Sequence, residues 1–174
     1  MKVLVTGGVR SGKSRHAESL LSDAPFVTYV APGPSADEDP DPDWVARIAA
    51  HQARRPLSWR TIETRDLAPA LRREGPLLVD CLGTWLTGVL DSRELWDAPS
   101  ESVTPVVHEL LEQVVAVLSG RDDVVLVTNE VGLGVVPAHR SGRVFRDLLG
   151  LVNQQIATAC DEVHLVIAGR VLRL

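Results

Sequence analysis

Short, nearly continuous apolar runs recur along the chain, at Val3 to Val5, Phe26 to Val30, Leu77 to Val79, Val124 to Val127 and Val163 to Ile167. Runs this brief, rich in β-branched residues and without polar alternation, predict strands buried on both faces, as in a parallel sheet flanked by helices. Between them the period changes. Val144, Leu148, Leu151, Val152, Ile156 and Ala159 recur at three- and four-residue spacing and predict an amphipathic helix, with Ser141 as its N-cap. Arg15 to Leu21 predicts a helix soon after the first strand. Trp44 to Arg54 predicts another, capped by Asp43 and ended by Pro56. Near the C-terminus, Gly169-Arg170 suits a tight type II′ hairpin turn, which adds an antiparallel edge strand. The pattern as a whole predicts an α/β fold of three layers with a mostly parallel central sheet and an antiparallel C-terminal edge hairpin.

One segment breaks the alternation. Pro32 to Pro42 is rich in Pro, Gly and Asp, and its composition fits a mobile loop or lid as well as a solvated linker. The 174 residues are enough for one compact core, so residues 1–174 are expected to form a single domain. A net charge of −5 supplies no basic field for a nucleic-acid backbone, and nucleic-acid binding is disfavoured. Cys81 and Cys160 form neither a C-x-x-C pair nor a metal-binding spacing, and no secretion signal opens the chain. No apolar run approaches the roughly 20 residues that a membrane helix needs. A cytoplasmic protein without a membrane span is the expectation.

The candidate chemistry begins where the first strand ends. Gly7-Gly8-Val9-Arg10-Ser11-Gly12-Lys13-Ser14 fits the phosphate-binding pattern G-x-x-x-x-G-K-S, between an apolar strand and a predicted helix. Glycines let the backbone turn tightly, so that several N–H groups and a helix N-terminus face one phosphate chain. Lys13 then supplies a cation for the β- and γ-phosphates, and the Ser14 hydroxyl is placed to ligate Mg²⁺. The strand Leu77-Leu78-Val79 ends in Asp80, the arrangement that sets a carboxylate beside such a metal. A second strand, Val124 to Val127, leads through Thr128 and Asn129 to Glu130 and competes for that role, and spacing does not choose between them. Arg47, His51 and Arg54 fall at i, i+4 and i+7 of one predicted helix. An imidazole between two guanidiniums suits an anionic ligand and a neutral, nucleophilic histidine; the same spacing also fits a solvated face. His16, His108, His139 and His164 lack a partner pattern and read as surface or capping residues.

Longer strings narrow the choice. The run from Val3 through Arg-Ser-Gly-Lys-Ser-Arg-His-Ala-Glu to Glu18 is one. The others are Ala46-Arg47-Ile48 leading to His51 and Arg55-Pro56, then Trp59 to Glu63, and Val127-Thr128-Asn129-Glu130-Val131-Gly132. Together they resemble the bifunctional adenosylcobinamide kinase/adenosylcobinamide-phosphate guanylyltransferases of cobalamin biosynthesis, across essentially the whole chain. The resemblance implies a P-loop fold and two reactions: phosphorylation of adenosylcobinamide by ATP or GTP, then transfer of GMP from GTP to adenosylcobinamide phosphate. It implies that His51 is the guanylylated residue and that Lys13 is catalytic. It also implies GTP contacts at Gly7, Gly8, Val9, Arg10, Ser11, Gly12, Lys13 and Ser14, at Ala31, Pro32 and Gly33, at Gln52, Ala53, Arg54 and Arg55, and at Glu63 and Asp80. A homotrimer is implied as well. Two rivals remain on the residues alone. A plain P-loop kinase would give His51 no role, and a GTP switch would need an N-K-x-D guanine motif that the sequence lacks.

Overall fold

The computed structural model describes residues 1–174. The chain runs β1 (Lys2–Gly7), α1 (Lys13–Ser19), β2 (Thr28–Ala31), α2 (Pro42–Arg54), β3 (Arg60–Glu63), α3 (Leu67–Leu71), β4 (Leu77–Asp80), α4 (Leu82–Ser92), α5 (Ser100–Ser119), β5 (Val124–Val127), α6 (Arg140–Thr158), β6 (Glu162–Ile167) and β7 (Arg170–Arg173). Seven strands form one sheet in the order β3-β2-β4-β5-β1-β6-β7. Every pairing is parallel except the hairpin β6–β7. The sheet is thus mostly parallel with an antiparallel C-terminal edge.

The near-continuous apolar runs have a direct cause. Along β1, Leu4 packs into the larger core with α3, α4, α5 and α6, while its neighbours Val3 and Val5 point the other way into a smaller core with α1. In β5, Val124 and Leu126 likewise face the first layer, and Val125 and Val127 the second. Because successive side chains alternate across a strand, both faces demand apolar residues and no polar alternation survives. The strand that escapes this pattern is β3. Its Arg60, Thr61 and Glu63 are exposed or only partly covered, and it pairs with β2 alone at the sheet edge. No apolar run marks it.

Local chemistry moves three predicted features. Helix α2 is capped by Asp41, whose carboxylate accepts from the Asp43 and Trp44 N–H groups, both at 3.0 Å. Pro42 then takes the first helical position, where its missing N–H costs nothing. Asp43 is therefore inside the helix. At α6 the cap position falls on His139, not Ser141, and the Arg143 guanidinium binds the carbonyls of Pro137 and Ala138 ahead of the first turn. The hairpin register pairs Ile167 with Arg170, which leaves Ala168 and Gly169 as the two-residue turn. Both have positive φ, 49° and 75°, so the turn is type I′ at Ala168-Gly169 and not II′ at Gly169-Arg170.

His139 is a capping residue and His108 lies at the surface, beside Gln155 and Glu112. His164 does not. It is 1 % exposed on β6, with its ring nitrogens at 2.9 Å from the His16 ring and 2.8 Å from the Glu162 carboxylate. This chain ties α1 to β6. Burial, with the His164 ring and Arg173 nearby, lowers the pKa of His16.

Ala168 in the left-handed region is strained for an L-residue other than Asn or Gly. Replacing it by Asn creates the Asn-Gly pair that type I′ turns prefer, and should stabilise the fold by about 0.5–1 kcal/mol. Thermal unfolding should show a rise of about 1–4 °C in Tm.

Candidate active site

All parallel strands point their carboxyl ends to one edge of the sheet, and the candidate residues gather there. The loop after β1 is fixed by backbone contacts. A Cβ at Gly7 would sit 2.4 Å from the Val166 carbonyl oxygen, and one at Gly12, where φ is +98°, would meet Gly169 at 3.5 Å. The Gly169 N–H donates to the Ser11 carbonyl at 2.9 Å. Glycine is required at Gly7 by the contact with Val166 and favoured at Gly12 by its left-handed φ. The Lys13 ammonium donates to the Gly8 carbonyl at 3.1 Å, folded back inside its own loop. Burial lowers its pKa, with Cys81 and Asp80 acting against that and Arg47 adding to it.

Across a cleft of about 940 Å³ from this loop stands α2. Arg10, Ser11, Lys13 and Ser14 line one wall, and Arg47, His51 and Arg54 the other, as one helical face requires. His51 also borders a second pocket, behind α2, with Ala31, Gly33, Gln52, Arg55, Glu63 and Asp80. Residues from β2, α2, β3 and β4, distant in the chain, thus share one pocket.

Asp80, at the end of β4, is the polar centre of this arrangement. Its side chain is only 8 % exposed; Oδ2 lies 3.5 Å from His51 Nδ1 and accepts from the Tyr29 hydroxyl at 3.1 Å. Burial by itself would raise the carboxyl pKa. The His51 ring, with Ser14 and Tyr29 adding to it, brings it below the ordinary carboxylate value. Tyr29 is pushed up strongly, first by burial and then by Asp80. Glu130 is engaged otherwise: its carboxylate accepts from the Gly132 N–H at 2.8 Å, closing its own turn, while its backbone N–H donates to the Gly7 carbonyl. Of the two strand-end carboxylates, Asp80 is the one placed with His51.

The remaining predicted residues divide. Arg55 stacks on the Tyr29 ring, 3.7 Å from its centroid, and binds the His51 carbonyl and the Thr61 hydroxyl, each at 3.1 Å. Arg54 binds Glu18 through two hydrogen bonds. Ala53 is exposed and borders neither cavity, and Pro32 is buried beneath the loop. Gly33 packs against Trp44 and Thr84, so closely that a Cβ added there would lie 3.2 Å from the Trp44 ring. The Trp44 indole N–H holds the Pro34 carbonyl at 3.0 Å, which pins the irregular segment onto α2. Tyr29, Glu18 and Thr84 were not readable as site residues. Tyr29 sits inside an apolar strand run, and Glu18 has the look of any solvent-facing helix carboxylate.

Known proteins with this sequence pattern point one way. The profile of the family described as cobinamide kinase / cobinamide phosphate guanyltransferase matches residues 3–174. The chain is 42 % identical to the bifunctional adenosylcobalamin biosynthesis protein CobU of Salmonella typhimurium, over 97 % of each. It is 40 % identical to CobU of Escherichia coli, again over 97 % of each. The Pseudomonas aeruginosa protein CobP is 41 % identical, over 97 % of this chain and 94 % of its own. Among solved structures, an ATPase of a bacterial type III secretion system superposes with a TM-score of 0.54 at 12 % identity. That match covers 94 % of this chain and 50 % of the ATPase, and at such identity it speaks for the fold alone.

Because the pKa of Asp80 is depressed, its contribution to stability is complete above the ordinary carboxylate value of about 4 and is lost as pH falls through the lowered value. Urea midpoints measured from about pH 7 to about pH 2 should therefore fall less steeply in acid for Asp80→Asn than for the wild type.

Proposed function

The chain belongs to the cobinamide kinase / cobinamide phosphate guanyltransferase family, and on that premise we propose that its 174 residues work as one unit that phosphorylates adenosylcobinamide and then transfers GMP to the product through His51. It is an enzyme of cobalamin biosynthesis by family, as its relatives are named. The observation that carries the finer reading is the position of His51, on the wall shared by the P-loop cleft and the Asp80–Glu63 pocket. A triphosphate gripped by Lys13 and the loop amides would run along the cleft toward this ring.

In the kinase step the loop Gly7–Ser14 holds the β- and γ-phosphates of ATP or GTP, and the Lys13 ammonium balances their charge. The acceptor oxygen bonds to the γ-phosphorus and its proton passes to solvent, while the bond from that phosphorus to the β-phosphate oxygen breaks and the nucleoside diphosphate leaves. In the transfer step His51 acts as the nucleophile. With Nδ1 turned to Asp80, Nε2 carries the free electron pair. It bonds to the α-phosphorus of GTP while the bond to the β-phosphate oxygen breaks and pyrophosphate departs. The phosphate of adenosylcobinamide phosphate then bonds to that phosphorus and Nε2 is released, giving adenosyl-GDP-cobinamide. Imidazole suits both halves because it is a nucleophile when neutral and a fair leaving group when protonated.

The protein oxygens that would hold a metal beside bound phosphates are the Ser14 hydroxyl and the Asp80 carboxylate, adjacent and both hard oxygens. This fits Mg²⁺, which takes one or two protein oxygens and completes its shell from phosphates and water; the chain has no cluster of three or more acidic, His or Cys ligands that would fit a resident metal. When bound, Mg²⁺ would neutralise phosphate charge. Exposed Leu133, Val135 and Val136, with Leu172 on the β7 edge, support self-association into the trimer that the resemblance implies. No helix is long and apolar enough to cross a membrane.

His51→Ala should abolish covalent labelling by α-labelled GTP and GMP transfer, yet leave cobinamide phosphorylation largely intact. The wild-type label should be lost in mild acid and survive alkali, as a phosphoramidate does; an alkali-labile label, or one that persists in His51→Ala, counts against this nucleophile. Lys13→Ala should slow both half-reactions by roughly 10²-fold or more in steady-state assays, because each depends on charge balance along a triphosphate.

A further inference from the structure

Helix α2 buries none of its side chains fully, so polar contacts set its position. Trp44 anchors it to the Pro34 carbonyl, His51 faces Asp80, and Arg55, just past its end, holds Thr61 and stacks on Tyr29. These contacts reach the loop after β2 and the strands on that side of the sheet. The Arg54–Glu18 pair crosses the cleft instead, to the second turn of α1, the helix that begins at Lys13. Its geometry is that of a fork on a fork. Arg54 Nη2 donates to Oε1 of Glu18 at 2.9 Å and Nε donates to Oε2 at 3.1 Å. The Glu18 side chain is 13 % exposed and that of Arg54 33 %, so solvent screens the pair less than an open surface contact.

We propose that Glu18 is a positioning residue for GMP transfer. By gripping Arg54 it fixes the distance and tilt of α2 relative to the P-loop helix, and so holds His51 against a triphosphate bound at Lys13. The proposal rests on the reading of His51 as the nucleophile. The Glu18 carboxylate forms its hydrogen bonds and ion pair with Arg54, not with His51 or the loop Gly7–Gly12, so its effect falls on the step that needs the two helices in register. A displacement of about 1 Å at a reacting atom is enough to cost about 10²-fold in rate. The kinase step uses α1 and its loop without the ring on α2, and provides an internal control for folding.

Glu18→Gln keeps the shape and removes the charge, while Glu18→Asp keeps the charge on a shorter arm. Single-turnover labelling of His51 by α-labelled GTP should slow by about tenfold or more in Glu18→Gln, with cobinamide phosphorylation within about twofold of wild type and part of the labelling rate restored in Glu18→Asp. Hydrogen exchange should quicken across Pro42–Arg54 in Glu18→Gln and stay unchanged in β1, β4 and β5. Unchanged labelling in Glu18→Gln, with His51→Ala unlabelled as expected, overturns the positioning role alone. A parallel fall of both half-reactions with faster exchange throughout also overturns it, since Glu18 would then only hold the fold. Persistent labelling in His51→Ala overturns the nucleophile reading and this role with it.

Discussion

The phosphate-binding loop rests its backbone on the backbone of the C-terminal hairpin. The Val166 carbonyl oxygen would clash with any Cβ at Gly7, Gly169 is in contact with Gly12, and the Gly169 N–H closes the contact onto the Ser11 carbonyl. The tight turn at Ala168-Gly169 brings Gly169 against the loop, and β7 returns from it along β6. The buried His164, bonded to His16, continues the same brace one turn further along α1. The loop is held in shape before any ligand arrives, which is the condition for electrostatic preorganisation.

The other wall of the cleft is built on opposite terms. Helix α2 has little apolar burial, an Asp41 cap of its own and a set of hydrogen-bonded attachments. Elements fixed by few buried contacts lie at the low-stability end of a fold, where moving parts are drawn from. A rigid cradle for phosphates therefore faces a lightly held helix that brings the imidazole. The proposed pair of reactions is compatible with that division, since on that reading the first uses the cradle and the second also uses the helix.

Strand order decides which carboxylate lies beside His51. Strand β5 is inserted between β1 and β4, so Asp80 stands two strands from the P-loop, roughly 10 Å in the hydrogen-bonding direction. Glu130, from the adjacent strand, is nearer along the backbone but is consumed by its own turn. The extra distance leaves room on the Asp80 side for Tyr29 and for His51 arriving from α2.

The sequence by itself determined the layer architecture, the phosphate-binding loop and the helical face of Arg47, His51 and Arg54, because each is a local or periodic pattern: buried strands must be apolar throughout, tight phosphate turns must be glycine, and i, i+4, i+7 must align. It was silent where a residue's role depends on what folds against it. The edge strand β3 has no apolar face to announce it, and the caps at Asp41 and His139 depended on where the first helical bonds formed. The hairpin turn moved by one residue because the pairing register, not the glycine alone, chose its type. The partners of His164, the preference for Asp80 over Glu130 beside His51, and the grip of Glu18 on Arg54 join residues far apart in the chain. Such pairings follow from the folded arrangement, since a hydrogen bond or an ion pair is set by the few ångströms between its atoms and leaves no period in the sequence.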